Sequence, residues 1–337
     1  IFMAVDRKAV AVLPKTQQTG NDFSNQVLLD EVAVDLPKPF IFELKPIAPT
    51  GKSMENCNVI FYDNAGEHFQ PGTDVLVNPA TRHLAGSRGI IFLFDPTNDA
   101  AMRRICNRQD PQMADAAKVS DQAVLLAEMI NRIRRHRNMA ASEKADIPLV
   151  IAVEKYDVWR GHFAPEPEKL RTVTQDPGCL ESKLDIGVLQ QVSFALRELM
   201  LEYAPAVVAS AEAFFRRVWF VPVSNFGCLA RRDENGYIGI VPEELHPIWV
   251  EEPFLILLHE LGMIGGAMPD RGGSEPGFDC RMSADLILFR HPVTGKRVLL
   301  PPNYLGAVLE IGGKRYALPP ARGAHAARRE SAGDLWN

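Results

Sequence analysis

Three short runs of the chain are apolar almost from end to end and stop on polar residues: GIIFLFD (89–95), IPLVIAVEKYD (147–157) and VWFVPVS (218–224). None of them alternates. A strand with one wet face carries a polar residue at every second position, so a run without alternation predicts a strand covered on both faces. The segments between supply the cover. DQAVLLAEMINRIRRHR (121–137) has apolar residues at helical spacing, and VLQQVSFALRELMLEYAPAVVASAEAFF (188–215) reads as mostly helical with a proline interruption. EEPFLILLHELGMI (251–264) reads as a helix opened by an acidic pair and Pro253. Strands alternating with helices imply parallel βαβ units with right-handed crossovers.

Ahead of these units, PFIFELKPI (39–47) alternates and NVIFYD (58–63) is another apolar run; turn-like APTGKSMEN separates them, so the pair predicts a β-hairpin. After Gly265 the composition shifts. MPDRGGSEPG is linker-like, ADLILFRHPVTGKRVLLPPNYLGAVLEIGGKRYALPP reads as a meander of hairpins, and ARGAHAARRESAGDLWN is charged and rich in small residues. The expected organisation is an α/β domain over residues 1–265, a β-hairpin module over 266–320 and a mobile tail over 321–337. The domain is expected to have a mostly parallel sheet in three layers with an antiparallel hairpin edge. The module's strands LILFRH and VLEIGG are expected to be edges, exposed on a lone subunit and calling for a covering partner.

A net charge of −5 argues against wholesale binding to nucleic acid, leaving a local basic patch as the one route to it. The basic run NRIRRHRN, from Arg132 to Arg137, is most simply favourable charge at a helix C-terminus and a solvated face, and otherwise a contact for a partner's acidic surface or a nucleic acid. Five scattered cysteines (57, 106, 179, 228 and 280) form no CxxC pair, which predicts reduced thiols and a cytoplasmic setting. No apolar run reaches the length of a membrane span, and no signal peptide is apparent. His259-Glu260 is half of a zinc-binding HExxH, but Met263 stands where the second histidine belongs, so the pair reads as part of a helix surface.

Open α/β sheets bind ligands at the C-terminal tips of their strands. Here three tips agree in chain order: Asp63-Asn64-Ala65-Gly66, then Glu154-Lys155-Tyr156-Asp157, then Ser224-Asn225. They resemble the DxxG, NKxD and base-bracing motifs of P-loop GTPases. More narrowly, PFIFELKPI, NVIFYDNAGEHF, GIIFLFDP, IPLVIAVEKYD, VPVSNFG and VEEPFLILL are similar to the bacterial double-GTPase family, a translation-factor-class branch found in multi-gene conflict and defence loci. This similarity runs from about residue 37 to 264 and leaves out the β module.

The resemblance implies a Ras-like fold that binds GTP or GDP with Mg²⁺ and works with other protein subunits of an assembly. Asp63 would hold Mg²⁺ through water, Gly66 would sense the γ-phosphate, Lys155 and Asp157 would read guanine, and Ser224 and Asn225 would brace the base. Glu67 stands where related enzymes carry the glutamine that positions the attacking water. Two departures temper this. Glu154 replaces the usual asparagine. Gly51-Lys52-Ser53 lies in the hairpin turn, with Pro46 where the first glycine of a phosphate loop belongs, and TGKR at 294–297 fails in the same way. Because the chain begins at Ile1, a phosphate loop is expected upstream of it. The expected function is a slow GTP-hydrolysing switch; the alternative is a pseudo-GTPase, a structural subunit that keeps the fold and binds no nucleotide.

Overall fold

The structure, a computed structural model, describes residues 24–29, 32–37, 39–45, 57–63, 83–114, 121–175 and 182–320. Two antiparallel hairpins come first, β1 (Ser24–Leu29) with β2 (Val32–Pro37) and β3 (Pro39–Leu44) with β4 (Cys57–Tyr62). A single helical turn, α1 (His83–Gly86), leads into β5 (Ile90–Phe94), α2 (Gln122–Arg137), β6 (Leu149–Val153) and the short α3 (Tyr156–Trp159). Next come β7 (Val173–Gln175), β8 (Ser182–Asp185), α4 (Ile186–Tyr203), α5 (Pro205–Phe214) and β9 (Val218–Pro222). A small ribbon, β10 (Arg231–Arg232) with β11 (Ile238–Gly239), precedes α6 (Glu252–Glu260) and β12 (Gly266–Ala267). The C-terminal strands are β13 (Cys280–Ser283), β14 (Leu286–Arg290), β15 (Arg297–Leu300), β16 (Val308–Ile311) and β17 (Lys314–Ala317).

The fold is mixed α/β, built on a parallel sheet of order β5-β6-β9 with Ile90, Leu149 and Val218 in register. Every residue of β6 and β9 is buried, as their unbroken apolar composition requires. The helix boundaries follow local chemistry. Asp121 caps α2 by accepting from the Ala123 and Val124 amides at 3.1 and 3.3 Å, and Asp185 caps α4 through the Val188 amide at 3.0 Å. Pro205 cannot donate to the preceding turn, so α4 stops and α5 starts on it. The basic end of α2 serves other backbones: Arg137 donates to the Ala85 carbonyl at 2.7 Å and Arg134 to that of Ala140 at 2.5 Å.

The hairpin β3-β4 departs from expectation. Among the described residues it is a sheet of its own and not the antiparallel edge of the parallel sheet. It leans on α6 instead, with the Phe61 and Phe254 rings 5.1 Å apart. Its other face carries Ile41 and Ile60, paired in register and 64% and 51% exposed.

The β module also differs. LILFRH is no edge: β14 is the centre of a three-stranded sheet, paired with β13 and β15. VLEIGG, in β16, pairs with β17, and its open side is held by α4. Gln191 accepts from the Glu310 amide at 2.7 Å and donates to the Glu310 carbonyl at 3.1 Å. The module shares a core with α4, where Phe194 packs among Phe289, Tyr304 and Leu309. It also closes the outer edge of β9. Asn303 accepts from the Val218 amide at 3.2 Å and donates to the Val218 carbonyl at 3.0 Å, as a paired strand would. Ser193 of α4 accepts from the Phe220 amide at 2.9 Å and shares a 2.7 Å hydrogen bond with the Tyr304 hydroxyl. The 321–337 tail lies outside the described residues.

Candidate functional site

The C-terminal tips of β5, β6 and β9 carry Asp95, Glu154 to Asp157, and Ser224. Asp95 is the hub. Its Oδ1 accepts from the Thr97 amide at 2.9 Å and the Thr97 hydroxyl at 2.6 Å; its Oδ2 accepts from Asn98 Nδ2 at 2.9 Å and Lys155 Nζ at 2.8 Å. Its backbone is fixed as firmly, because Gln122, the first residue of α2, accepts from the Asp95 amide at 2.8 Å and donates to its carbonyl at 2.7 Å. Sequence reasoning missed this role.

Lys155 sits at φ 53° and ψ 43°, a left-handed conformation that a lysine adopts only when its surroundings hold it there. The Tyr156 amide donates to the Val223 carbonyl at 3.0 Å, which ties this turn to the end of β9. The Lys155 amine donates to Asp95 and, at 2.9 Å, to the Thr97 hydroxyl. It is thus held by β5-tip residues.

Asp157, only 7% exposed, accepts a short hydrogen bond from the Ser224 hydroxyl, so the tips of β6 and β9 are joined side chain to side chain. Burial is the main force raising its carboxyl above the usual range, with the hydroxyl opposing and the nearby Asp110 charge assisting. Ser224 also accepts from the Gly227 amide at 2.7 Å, while its own amide donates to the Ile248 carbonyl at 2.9 Å. The Ser224 N–H is therefore already engaged within the fold.

Asn225 is exposed beside Ser224, and Asp63 is exposed just beyond β4. Gly66 and Glu67, together with Gly51, Lys52 and Ser53, lie outside the described residues. The described residues bring together Lys155, Asp157 and Ser224, and add Asp95, Thr97 and Gln122. His259-Glu260 is structural: Glu260 accepts from Trp219 Nε1 and from Arg217, both at 2.9 Å. The Cys106 thiol, near Asp95, is pushed up to about 12, chiefly by burial, and is inert as a nucleophile.

Glu154 is the perturbed acid of the group. Burial first, then the Asp95 charge, raises its carboxyl to about 7, against the pull of Lys155. The fold favours the protonated form, so the contribution of Glu154 to stability is full below about pH 4.5 and is lost as pH rises through about 7. Glu154→Gln is expected to be more stable than the natural chain at pH 8, by roughly 1–3 kcal/mol, with the advantage fading toward pH 5. Denaturant titrations at the two pH values check this, and an equal difference at both would contradict it.

A wider cleft lies elsewhere. A space of about 910 Å³ bounded by Arg137, Lys144, Ala145 and Arg216 opens at the N-terminal ends of β6 and β9, opposite the tips just described. Its cations are engaged within the fold: Lys144 donates to the Glu212 carbonyl of α5 at 2.7 Å, and Arg216 pairs with Asp285. Comparison of the chain with protein-family models, with curated proteins and with solved structures gives no match.

Proposed function

We propose that the chain is a guanine-nucleotide-binding switch subunit of the P-loop GTPase kind, slow in hydrolysis and working within a multi-protein assembly. The observation that carries this reading is the pairing of Asp157 with Ser224, contributed by the tips of two adjacent parallel strands, with Lys155 two residues away. The two ligands differ in how well the described residues suit them. A carboxylate steadied by a hydroxyl is chemically suited to the two N–H groups of a guanine edge. Asp63 alone builds no metal site, and Mg²⁺ would draw its remaining ligands from phosphate and water. A phosphate loop would have to come from outside the described residues, on a strand suited to the free side of β5, where the backbones of Ile91 and Leu93 point away from β6.

Asp157→Asn is expected to move preference from GTP to xanthosine triphosphate, because the change replaces two acceptors by one acceptor and one donor. Competition binding with both nucleotides decides it, and an unchanged preference for GTP counts against the assignment.

A second reading is favoured by one observation. Lys155 is held by Asp95 and Thr97, and Asp157 by Ser224, so the base-reading groups are satisfied among themselves. A pseudo-GTPase that keeps these contacts as structure would bind neither nucleotide, with or without Asp157→Asn.

A further inference from the structure

We infer that the cleft between the 108–111 turn and the β10-β11 ribbon is a second binding site, for a small ligand bearing phosphoryl groups. The cleft holds about 460 Å³, within the range of small-ligand sites. Arg108, Gln109 and Asp110 form one wall, and Arg231 and Arg232 the other. Three arginines in this lining suit a water-soluble anion better than an apolar molecule. Arginines on both walls suit a group with several anionic oxygens better than a single carboxylate.

Both walls are built before any ligand arrives. On the first, the Asn107 amide donates to the Val158 carbonyl at 2.8 Å and the Asp110 amide to the Asn107 carbonyl at 3.1 Å. On the second, Asp233 accepts from the Tyr237 amide at 2.7 Å, and Arg232 donates to the Gly236 carbonyl at 2.8 Å. Asp110, 1% exposed, ties the walls together by accepting from the Ala230 amide at 3.3 Å. Two carboxylates oppose the arginines. That of Asp110 is buried in this tie. Glu244 meets Arg231 at 2.6 Å in a pair with both side chains more than a third exposed, an interaction weak enough to exchange for a phosphate.

The test is isothermal titration of inorganic pyrophosphate into the full chain at low ionic strength, with malonate as a dicarboxylate control. Saturable binding is expected, weakened at least about tenfold in the double variant Arg108→Ala/Arg232→Ala. Both residues are exposed, so the variant should fold, and an unchanged denaturation curve establishes that it has. Asp157→Asn is expected to retain pyrophosphate binding, which separates this site from the base-reading proposal. No saturable heat from the natural chain, equal affinity in the double variant, or equal binding of malonate would overturn the inference.

Discussion

Gly227→Ala is expected to destabilise the protein by about 3 kcal/mol or more and to abolish any nucleotide affinity the site has. Gly227 lies at φ +67°, and an added Cβ would overlap the His246 carbonyl oxygen, a backbone atom with no flexible end to give way. The same backbone is held on both sides: the His246 amide donates to the Phe226 carbonyl at 2.8 Å, and the Ile248 amide to that of Ser224 at 2.8 Å. The turn cannot shift without losing the Gly227 amide bond to Ser224, and Ser224 is what holds Asp157. Chemical denaturation measures the first effect and nucleotide titration the second. A variant of natural stability would show that the turn has another conformation open to it.

Asn303→Ala is the other large effect. It removes both partners of Val218 at once, leaving a buried N–H and a buried C=O without the bonds the asparagine makes. At about 1–3 kcal/mol for each group, the loss is roughly 2–6 kcal/mol. Asn303→Asp keeps an acceptor for the Val218 amide but sets a second oxygen against the carbonyl, so it should rescue little. Hydrogen exchange at Val218 offers a local readout: in the natural chain it should be as slow as at the central strand, and in Asn303→Ala faster. Unchanged exchange would mean that the packing of β9 and not the side-chain bond protects it.

The parallel strands were legible because burial on both faces writes itself into composition. Every position from Leu149 to Val153 is apolar, and every one is buried. The helices were legible through apolar spacing and the proline interruption at 205. The β7, β8 and β12 sheet was not, since strands of two to four residues such as Val173–Gln175 and Gly266–Ala267 are too short to show a period. The candidate site was legible at Lys155, Asp157 and Ser224, which sit at strand tips the sequence marks by a switch from apolar to polar. It was not legible at Gln122, which meets Asp95 from 27 residues away. The docking of the module was hidden for a similar reason. Gln190, Ser193 and Arg197 recur at helical spacing along α4 and look like a solvated stripe, yet all three are buried. One signal was available: LQQVSFALREL places its polar residues between two apolar faces, as a helix covered on more than one side would.

That polar stripe has a consequence for how the chain is made. The partners of α4 lie far downstream: Gln190 donates to the Asn303 carbonyl 113 residues on, and Arg197 to the Leu299 carbonyl 102 residues on. While a ribosome is still reading residues 266–320, α4 and β9 have already emerged with one flank unfinished. The Val218 edge is open, Phe194 is uncovered, and Trp219 lacks the Tyr304 ring that stacks on it in the finished fold. Contacts so distant in sequence form late and slowly, and an open strand edge is a target for the wrong neighbour during the wait. A chain cut after Gly265, where the composition suggests a natural end, would remain in that vulnerable state for good.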